Sequence, residues 1–138
     1  KVREVMSNKY AIKVMCLLRR KPGLSLEEFI DYYENKHVPL ILRILPYQAD
    51  YRRNYVKQGG ELATMDGQPA DYDVITEASF ATQEDFDKFC SEAARPELRE
   101  IVIADELNFI DRDNLRFFVV DEFNSVIADK RASVATVL

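Results

Sequence analysis

The sequence predicts a single α+β domain in which helices cover one face of an antiparallel sheet. Three observations lead to this fold class: the length, the composition, and the alternation of strand-type and helix-type periodicity along the chain. The chain has 138 residues, of which 47% are hydrophobic and 31% are charged, and this suits one globular core. The two types of periodicity follow one another in the order β-α-β-β-α-β.

The first strand and the first helix have the clearest signals. Residues 10–20 alternate in the manner of a strand that is well buried on one face. Ser25 and Glu28 have the spacing of a capping box, which predicts that a helix begins there. Pro39 removes a backbone donor inside this helix, and Pro46 is expected to end it. At helical spacing, one apolar arc contains Leu26, Phe29, Ile30, Tyr33, His37, Leu40, Ile41 and Ile44.

The rest of the chain has weaker but ordered signals. It predicts, in turn, a strand at 50–57, a polar loop at 57–71, a strand at 72–80, a helix between Thr82 and Pro96, a short helix at 97–105 and a last strand at 115–123. A polar loop of that length is often functional or mobile. The tail at 124–138 has no clear period, and we expect it either to be disordered or to pack on a partner subunit.

This order of elements is the signature of a ferredoxin-like unit. We assign residues 1–123 to one domain of this kind and residues 124–138 to a C-terminal tail. The sheet of such a unit has one face without helices, and here that face would carry Phe, Leu, Val and Tyr side chains. Soluble monomers rarely expose an apolar patch of that size. We therefore expect a homodimer in which a second copy covers the bare face.

Charge and cysteine content exclude several classes of protein. Lys and Arg number 19 and Asp and Glu number 24, so the net charge is −5, and without a basic run we expect no nucleic-acid partner. No apolar stretch approaches the ~20 residues of a membrane span. Cys16 and Cys90 both lie in apolar segments and are expected to be buried free thiols. We therefore expect a soluble, cytoplasmic protein, and the sequence has no motif for a metal or a cofactor.

His37 is the one histidine of the chain, and it lies on the apolar arc of the first helix between Tyr33 and Ile41. Imidazole is the side chain whose unperturbed pKa suits proton transfer in both directions near neutral pH. Two interpretations are open: His37 is a general acid–base group, or it is a core histidine satisfied by a carboxylate or a carbonyl. In the first case Asp73, or else Asp50, is a candidate to orient the ring.

The tyrosines are concentrated around this histidine. All seven lie between Tyr10 and Tyr72, and several come from the first helix, its exit and the second strand. Together they would line a pocket for a flat, oxygen-bearing molecule. The alternative is a set of ordinary half-exposed tyrosines. The alternation along residues 51–56 does not decide which face of that strand would enter the pocket.

Several segments resemble a known family. The run from Lys13 to Pro22-Gly23, the stretch Ser25-Leu26-Glu27-Glu28-Phe29 with Tyr33, and the element His37-Val38-Pro39-Leu40 are similar to the EthD family of the dimeric α+β barrel superfamily. The segment from Tyr72 to Phe80, with Phe86 and Phe89, is similar as well, so the resemblance covers about residues 10–123. It implies a homodimer, a pocket between the sheet and the helices of each subunit, and His37 as the leading catalytic position.

From the residues and the resemblance together, we expect a cofactor-independent enzyme of aromatic or polyketide-type secondary metabolism. It would be a cyclase, dehydratase or decarboxylase, with His37 as general acid–base and with Tyr33 and Tyr55 donating hydrogen bonds to a developing oxyanion. Further contacts to the substrate are expected from Phe29, Ile41, Tyr51, Asn54 and Phe89. Two alternatives remain open: a cofactor-free oxygenase (an oxidoreductase) for anthrone-like phenolics, and a non-enzymatic dimer that binds an aromatic ligand.

Overall fold

A computed structural model of the chain describes residues 5–6, 9–57 and 64–128. The strands in this part of the chain are β1 (Val5–Met6), β2 (Ile12–Leu18), β3 (Asp50–Tyr55), β4 (Val74–Phe80), β5 (Arg116–Val120) and β6 (Asn124–Ser125). The α-helices are α1 (Leu26–Tyr32), α2 (Val38–Ile44), α3 (Gln83–Ala93) and α4 (Pro96–Glu106). A π-helical turn at Tyr33–His37 joins α1 to α2, and a 3-10 turn at Arg112–Asn114 precedes β5.

Four strands form the main sheet in the order β3-β4-β2-β5, and every neighbouring pair is antiparallel. Cys16, near the centre of β2, lies opposite Thr76 of β4 and Phe117 of β5. With its helices on one face, this is the ferredoxin-like fold, and the prediction from the order of elements is confirmed.

A second, two-stranded sheet joins the two ends of the described chain. Val5 of β1 lies opposite Ser125 of β6 in an antiparallel pair. The first residues of the predicted tail therefore pair with residues near the start of the chain. Residues 129–138 of the tail and residues 58–63 of the long loop lie outside the described residues, so the expectations for them remain predictions, as does the boundary at residue 123.

The first helix begins where the capping box places it. Ser25 Oγ accepts a hydrogen bond from Glu28 N at 3.1 Å, and Glu28 Oε1 accepts one from Ser25 N at 3.0 Å. This pair satisfies two of the backbone donors that a helix start leaves free. The helical path then continues through the π-turn into α2, where Pro39 occupies the first turn.

The core lies between the sheet and the first helical segment. Phe29 and Phe109 are completely buried, and Tyr33 is 2% exposed. β3 turns Tyr51 and Tyr55 towards this core, so the face of β3 that carries these tyrosines is the one covered by helices. The centroids of the Phe29 and Tyr33 rings lie 5.9 Å apart in an edge-to-face contact, a favourable geometry for aromatic pairs.

The sheet face without helices is less apolar than the sequence indicated. The strand register places Leu17 and Phe118 on this face. Lys13 lies on the same face and forms ion pairs with Glu77 and Glu122 at 2.8 and 2.5 Å. The expected tyrosines are not part of it, because those of β3 pack under the helices.

The two cysteines differ in exposure. Cys16 is buried, and burial raises the pKa of its thiol to about 12. Cys90 is exposed, so the expectation of two buried thiols is wrong for this residue. Its helix, α3, has no fully buried residue, because it lies at the surface of the helical layer. Among the described residues, no helix is long and apolar enough to cross a bilayer.

Candidate active site

His37 is held by a carboxylate from a distant part of the chain. Its Nδ1 lies 2.6 Å from Oδ2 of Asp105, near the end of α4, and each of the two side chains is 8% exposed. An ionised carboxylate only accepts hydrogen bonds, so Nδ1 carries the proton in this pair. Nε2 is then the basic nitrogen of the neutral ring. The described part of the chain provides no hydrogen-bond partner for Nε2.

The orienting carboxylate is therefore Asp105, and the assignment of that role to Asp73 is corrected. Asp73 Oδ2 accepts a hydrogen bond from the backbone N–H of Arg20 at 2.8 Å. This places Asp73 against the residues that follow β2, where its Oδ1 also lies 3.8 Å from Nε of Arg20. The other candidate, Asp50, accepts a hydrogen bond from Arg52 Nε at 2.6 Å on the exposed side of the sheet.

The π-turn lets one helical segment present two groups to Asp105. The Tyr32 hydroxyl donates to Oδ1 of Asp105 at 2.9 Å, while His37 contacts Oδ2. Residues five apart on an α-helix point about 140° away from each other and would not share a partner. In the π-turn the N–H of Val38 bonds to the carbonyl of Tyr33, one residue further back than in an α-helix. The turn thereby takes up one extra residue and brings His37 round towards Tyr32.

A cavity of about 260 Å³ lies between the sheet and helices α2, α3 and α4. His37 and Tyr33 form part of its wall, and Cys16 and Thr76 contribute from the sheet. Because about 150 Å³ is enough to hold benzene, this cavity has room for two fused rings. The apolar part of the wall includes Leu18, Ile41, Leu45, Phe89, Val102, Ile103, Leu115 and Phe117.

Tyr33 and Tyr51 bring hydroxyl groups into the wall near the histidine. The Tyr33 hydroxyl lies 2.7 Å from Oγ1 of Thr76 and also interacts with the hydroxyl of Tyr51. Burial raises the pKa of Tyr33 to about 12 and the pKa of Tyr51 well above its usual value. Both phenols are therefore protonated at neutral pH and able to donate a hydrogen bond.

Some of the expected site residues lie elsewhere. The Tyr55 hydroxyl donates a hydrogen bond to Oε2 of Glu34 at 2.5 Å. Arg53 donates two hydrogen bonds to the same carboxylate and lowers its pKa. Glu34 is therefore an ionised acceptor. Asn54 is exposed on the opposite face of the sheet, where its amide donates to a backbone carbonyl of β4. Phe29 is sealed in the core. Tyr55, Asn54 and Phe29 are therefore not part of the cavity wall, which corrects the expectation that they contact a ligand. The other expected residues do line the cavity: Tyr33, His37, Ile41, Tyr51 and Phe89.

Five polar residues of the cavity wall were not found from the sequence: Gln48, Thr76, Arg99, Glu106 and Arg112. Glu106 is 8% exposed, and its Oε1 accepts a hydrogen bond from Nε of Arg112 at 3.0 Å. Gln48 follows α2, and its Oε1 is buried without a hydrogen-bond partner in the described residues. Arg99 contributes to the wall although it is an exposed residue. One signal was available, because Arg99, Val102, Ile103 and Glu106 have the spacing of a single helix face.

The arrangement combines a base, two protonated phenols and an apolar enclosure. Within the described ranges, no group of three or more His, Cys, Asp and Glu side chains is placed to hold a metal ion. The chemistry that these side chains themselves offer is the transfer of a proton and the stabilisation of a negatively charged oxygen.

Fold and site together define a ferredoxin-like α+β protein with a histidine–carboxylate pair in the wall of an internal cavity. The chain belongs to the EthD family, since the EthD domain model matches residues 21–113. The resemblance seen in the sequence is confirmed by this match. No curated protein matches the sequence.

Solved structures share the fold. An EthD family protein from Bacillus halodurans is 17% identical, with a TM-score of 0.55 over 80% of this chain and 98% of that chain. An EthD-like protein from Ralstonia eutropha is 16% identical, with a TM-score of 0.54 over 91% of this chain and 99% of that chain. A protein from Bacteroides fragilis, described as dimeric, ferredoxin-like and of unknown function, is 9% identical, with a TM-score of 0.50 over 80% and 95% of the two chains.

Proposed function

We propose that this protein is a cofactor-independent enzyme that moves a proton at the carbon beside the carbonyl group of an aromatic or polyketide-like ketone. The observation that carries the proposal is the His37–Asp105 pair in the wall of a largely apolar cavity. The pair leaves the second ring nitrogen as a base, and the enclosure limits competition from water. A cyclase, dehydratase or decarboxylase of secondary metabolism would use a step of this kind.

In the proposed reaction, Nε2 of His37 takes the proton from the C–H bond, and the electron pair of that bond forms the enolate. Asp105 stabilises the positive imidazolium, and Tyr33 and Tyr51 donate hydrogen bonds to the negative oxygen. The proton then returns from Nε2 to carbon or to a departing hydroxyl group, which restores the neutral ring. A placed general base contributes typically ~10²–10⁴-fold, and an oxyanion donor ~10²-fold or more.

We further propose that the protein acts as a homodimer through the sheet face without helices. The apolar part of that face consists of Met15, Leu17, Ile75, Phe118 and Val120. Lys13 forms ion pairs with Glu77 and Glu122 of its own subunit, so its charge needs no partner group across the interface. The description of the Bacteroides fragilis protein as dimeric supports this assembly.

Hydrogen–deuterium exchange of 2-tetralone tests the proposed proton transfer directly. This bicyclic ketone has acidic protons beside its carbonyl group, and two fused rings match the volume of the cavity. We expect the protein to accelerate exchange of those protons in D₂O, followed by NMR, by about 10²-fold or more. His37→Gln, which keeps an amide able to contact Asp105, should return the rate to that of buffer.

The matched control is Arg43→Leu, which changes an exposed residue outside the cavity wall. It should exchange 2-tetralone at the rate of the unmodified protein. The proposal is overturned if His37→Gln accelerates exchange as well as the unmodified protein does. It is also overturned if the unmodified protein binds 2-tetralone, as shown by shifts of the ligand's NMR signals, without accelerating exchange.

A further inference from the structure

The cavity wall carries polar groups that the proposed reaction does not use. Arg99 lies there, on the first turn of α4, and within the described chain no carboxylate pairs with its guanidinium. Gln48 faces the same cavity, and its buried Oε1 has no hydrogen-bond partner in the described residues. A buried amide atom without a partner is unfavourable unless a ligand supplies one.

The direction of α4 separates Arg99 from the reactive nitrogen of His37. Arg99 and Asp105 are six residues apart on this helix, which corresponds to about 9 Å along its axis. Side chains of a helix lean towards its N-terminus, so the guanidinium of Arg99 lies still further from the end where Asp105 holds His37. Glu106, at the histidine end, is already paired with Arg112. Arg99, whose guanidinium has no carboxylate partner in the described residues, therefore lies at the opposite end of the cavity from His37.

We infer that the substrate of the proposed enzyme carries an ionised acidic group, such as a carboxylate, that Arg99 and the Gln48 amide bind at the end of the cavity remote from His37. A guanidinium suits a carboxylate by charge and by geometry. A half-turn of the Gln48 amide exchanges its oxygen and nitrogen, so the side chain can donate an N–H to the same group. This inference rests on the proposed function and specifies its substrate class.

One consequence concerns the type of reaction. Arg99, which would anchor the acidic group, lies about 9 Å along the helix axis from Asp105, so the group is held away from His37. It therefore remains in the product, and the bond that changes lies at the other end of the molecule. Among the reactions compatible with the proposed proton transfer, this favours cyclisation or dehydration over loss of the anchoring carboxylate.

Binding of 2-naphthoate and of its neutral analogue 2-naphthamide, measured by titration calorimetry, tests the inference. We expect the protein to prefer the carboxylate by about fivefold, a modest factor because Arg99 is exposed. Arg99→Leu should abolish this preference, and Gln48→Glu should reverse it because its added carboxylate repels the ligand. Arg43→Leu, which removes an exposed arginine outside the cavity, should keep the preference.

The outcomes separate this inference from the proposed function. Equal binding of the two probes by the unmodified protein, or an undiminished preference in Arg99→Leu, overturns the anchoring role while His37-dependent exchange of 2-tetralone still supports the enzyme. Loss of that exchange overturns the proposed function, even if 2-naphthoate binds at Arg99. Failure of the protein to bind either probe overturns the anchoring role, and the exchange assay then decides the proposed function alone.

Discussion

Replacing Asp105 by Asn removes the negative charge beside His37 while keeping the size of the side chain. In the native pair the carboxylate fixes the proton on Nδ1 and leaves Nε2 as the base. The amide of Asn can instead donate to Nδ1, and the ring proton then moves to Nε2, where it blocks the base. We therefore expect Asp105→Asn to reduce a His37-dependent reaction even though the ring stays in the cavity wall.

The magnitude follows from the geometry of the pair. Nδ1 and Oδ2 are 2.6 Å apart, so the centres of the two charges are about 4 Å apart when the ring is protonated. Opposite charges at that distance attract by about 4 kcal/mol at an effective dielectric constant near 20. Complete loss of this attraction would slow the step by about 10³-fold. The remaining amide dipole offsets part of it, and we expect a reduction of about 10²-fold.

The assay is the exchange of 2-tetralone protons in D₂O, with urea unfolding as a check that the variant is folded. Tyr32→Phe is the matched comparison, since it removes only the hydrogen bond to the other oxygen of Asp105. It should slow exchange by about tenfold or less, because one hydrogen bond to a charged group contributes about 1.5 kcal/mol at the lower end of its range. An Asp105→Asn protein that is folded and exchanges 2-tetralone at the native rate would refute the role of the pair.

Other predictions concern stability, reactivity and assembly. Burial raises the pKa of Tyr33 from 10.0 to about 12 in the folded protein. Between pH 10 and pH 12 the phenol therefore ionises in the unfolded chain but not in the folded one, and the free energy of unfolding falls. The loss should be about 3 kcal/mol, and urea unfolding across this range should show a shallower decline in Tyr33→Phe. In a thiol titration with Ellman's reagent, Cys90 should react in the folded protein and Cys16 only after unfolding, and equal rates for the two would contradict the burial of Cys16. Leu17→Arg should convert a dimer into folded monomers in light scattering, and a native protein that is already monomeric would disprove the proposed interface.

The arrangement of elements was predictable because it depends on local patterns. The capping box of Ser25 and Glu28 marks the start of the first helix, and the alternating periods mark the strands. These signals act over a few residues, so they can be seen in the sequence without knowledge of tertiary contacts. The candidate base could be found for a similar reason, since His37 is the one histidine and lies on an apolar helix face.

The partners of that base were not predictable from the same patterns. Asp105 follows His37 by 68 residues, and nothing in the local sequence distinguishes it from the other acidic residues of its helix. Tyr55 lies on the face of β3 that the helices cover, as its position in the strand predicts. Its hydroxyl, however, donates a hydrogen bond to the ionised carboxylate of Glu34. Such outcomes depend on competition between side chains that meet only in the folded chain. The exposure of Cys90 likewise depends on how far its helix is covered.

The wide turn between α1 and α2 makes the spacing of this segment as important as its composition. Tyr32 and His37 converge on one carboxylate because the turn absorbs a single extra residue. Deleting that extra residue, for example the exposed Lys36, would leave Tyr32 and His37 four residues apart, the spacing at which two side chains share one face of a regular α-helix. A relative that is one residue shorter at this point could therefore bring the same two side chains to one carboxylate on a regular α-helix, so alignments of this helix need to be read for gaps as well as for identities.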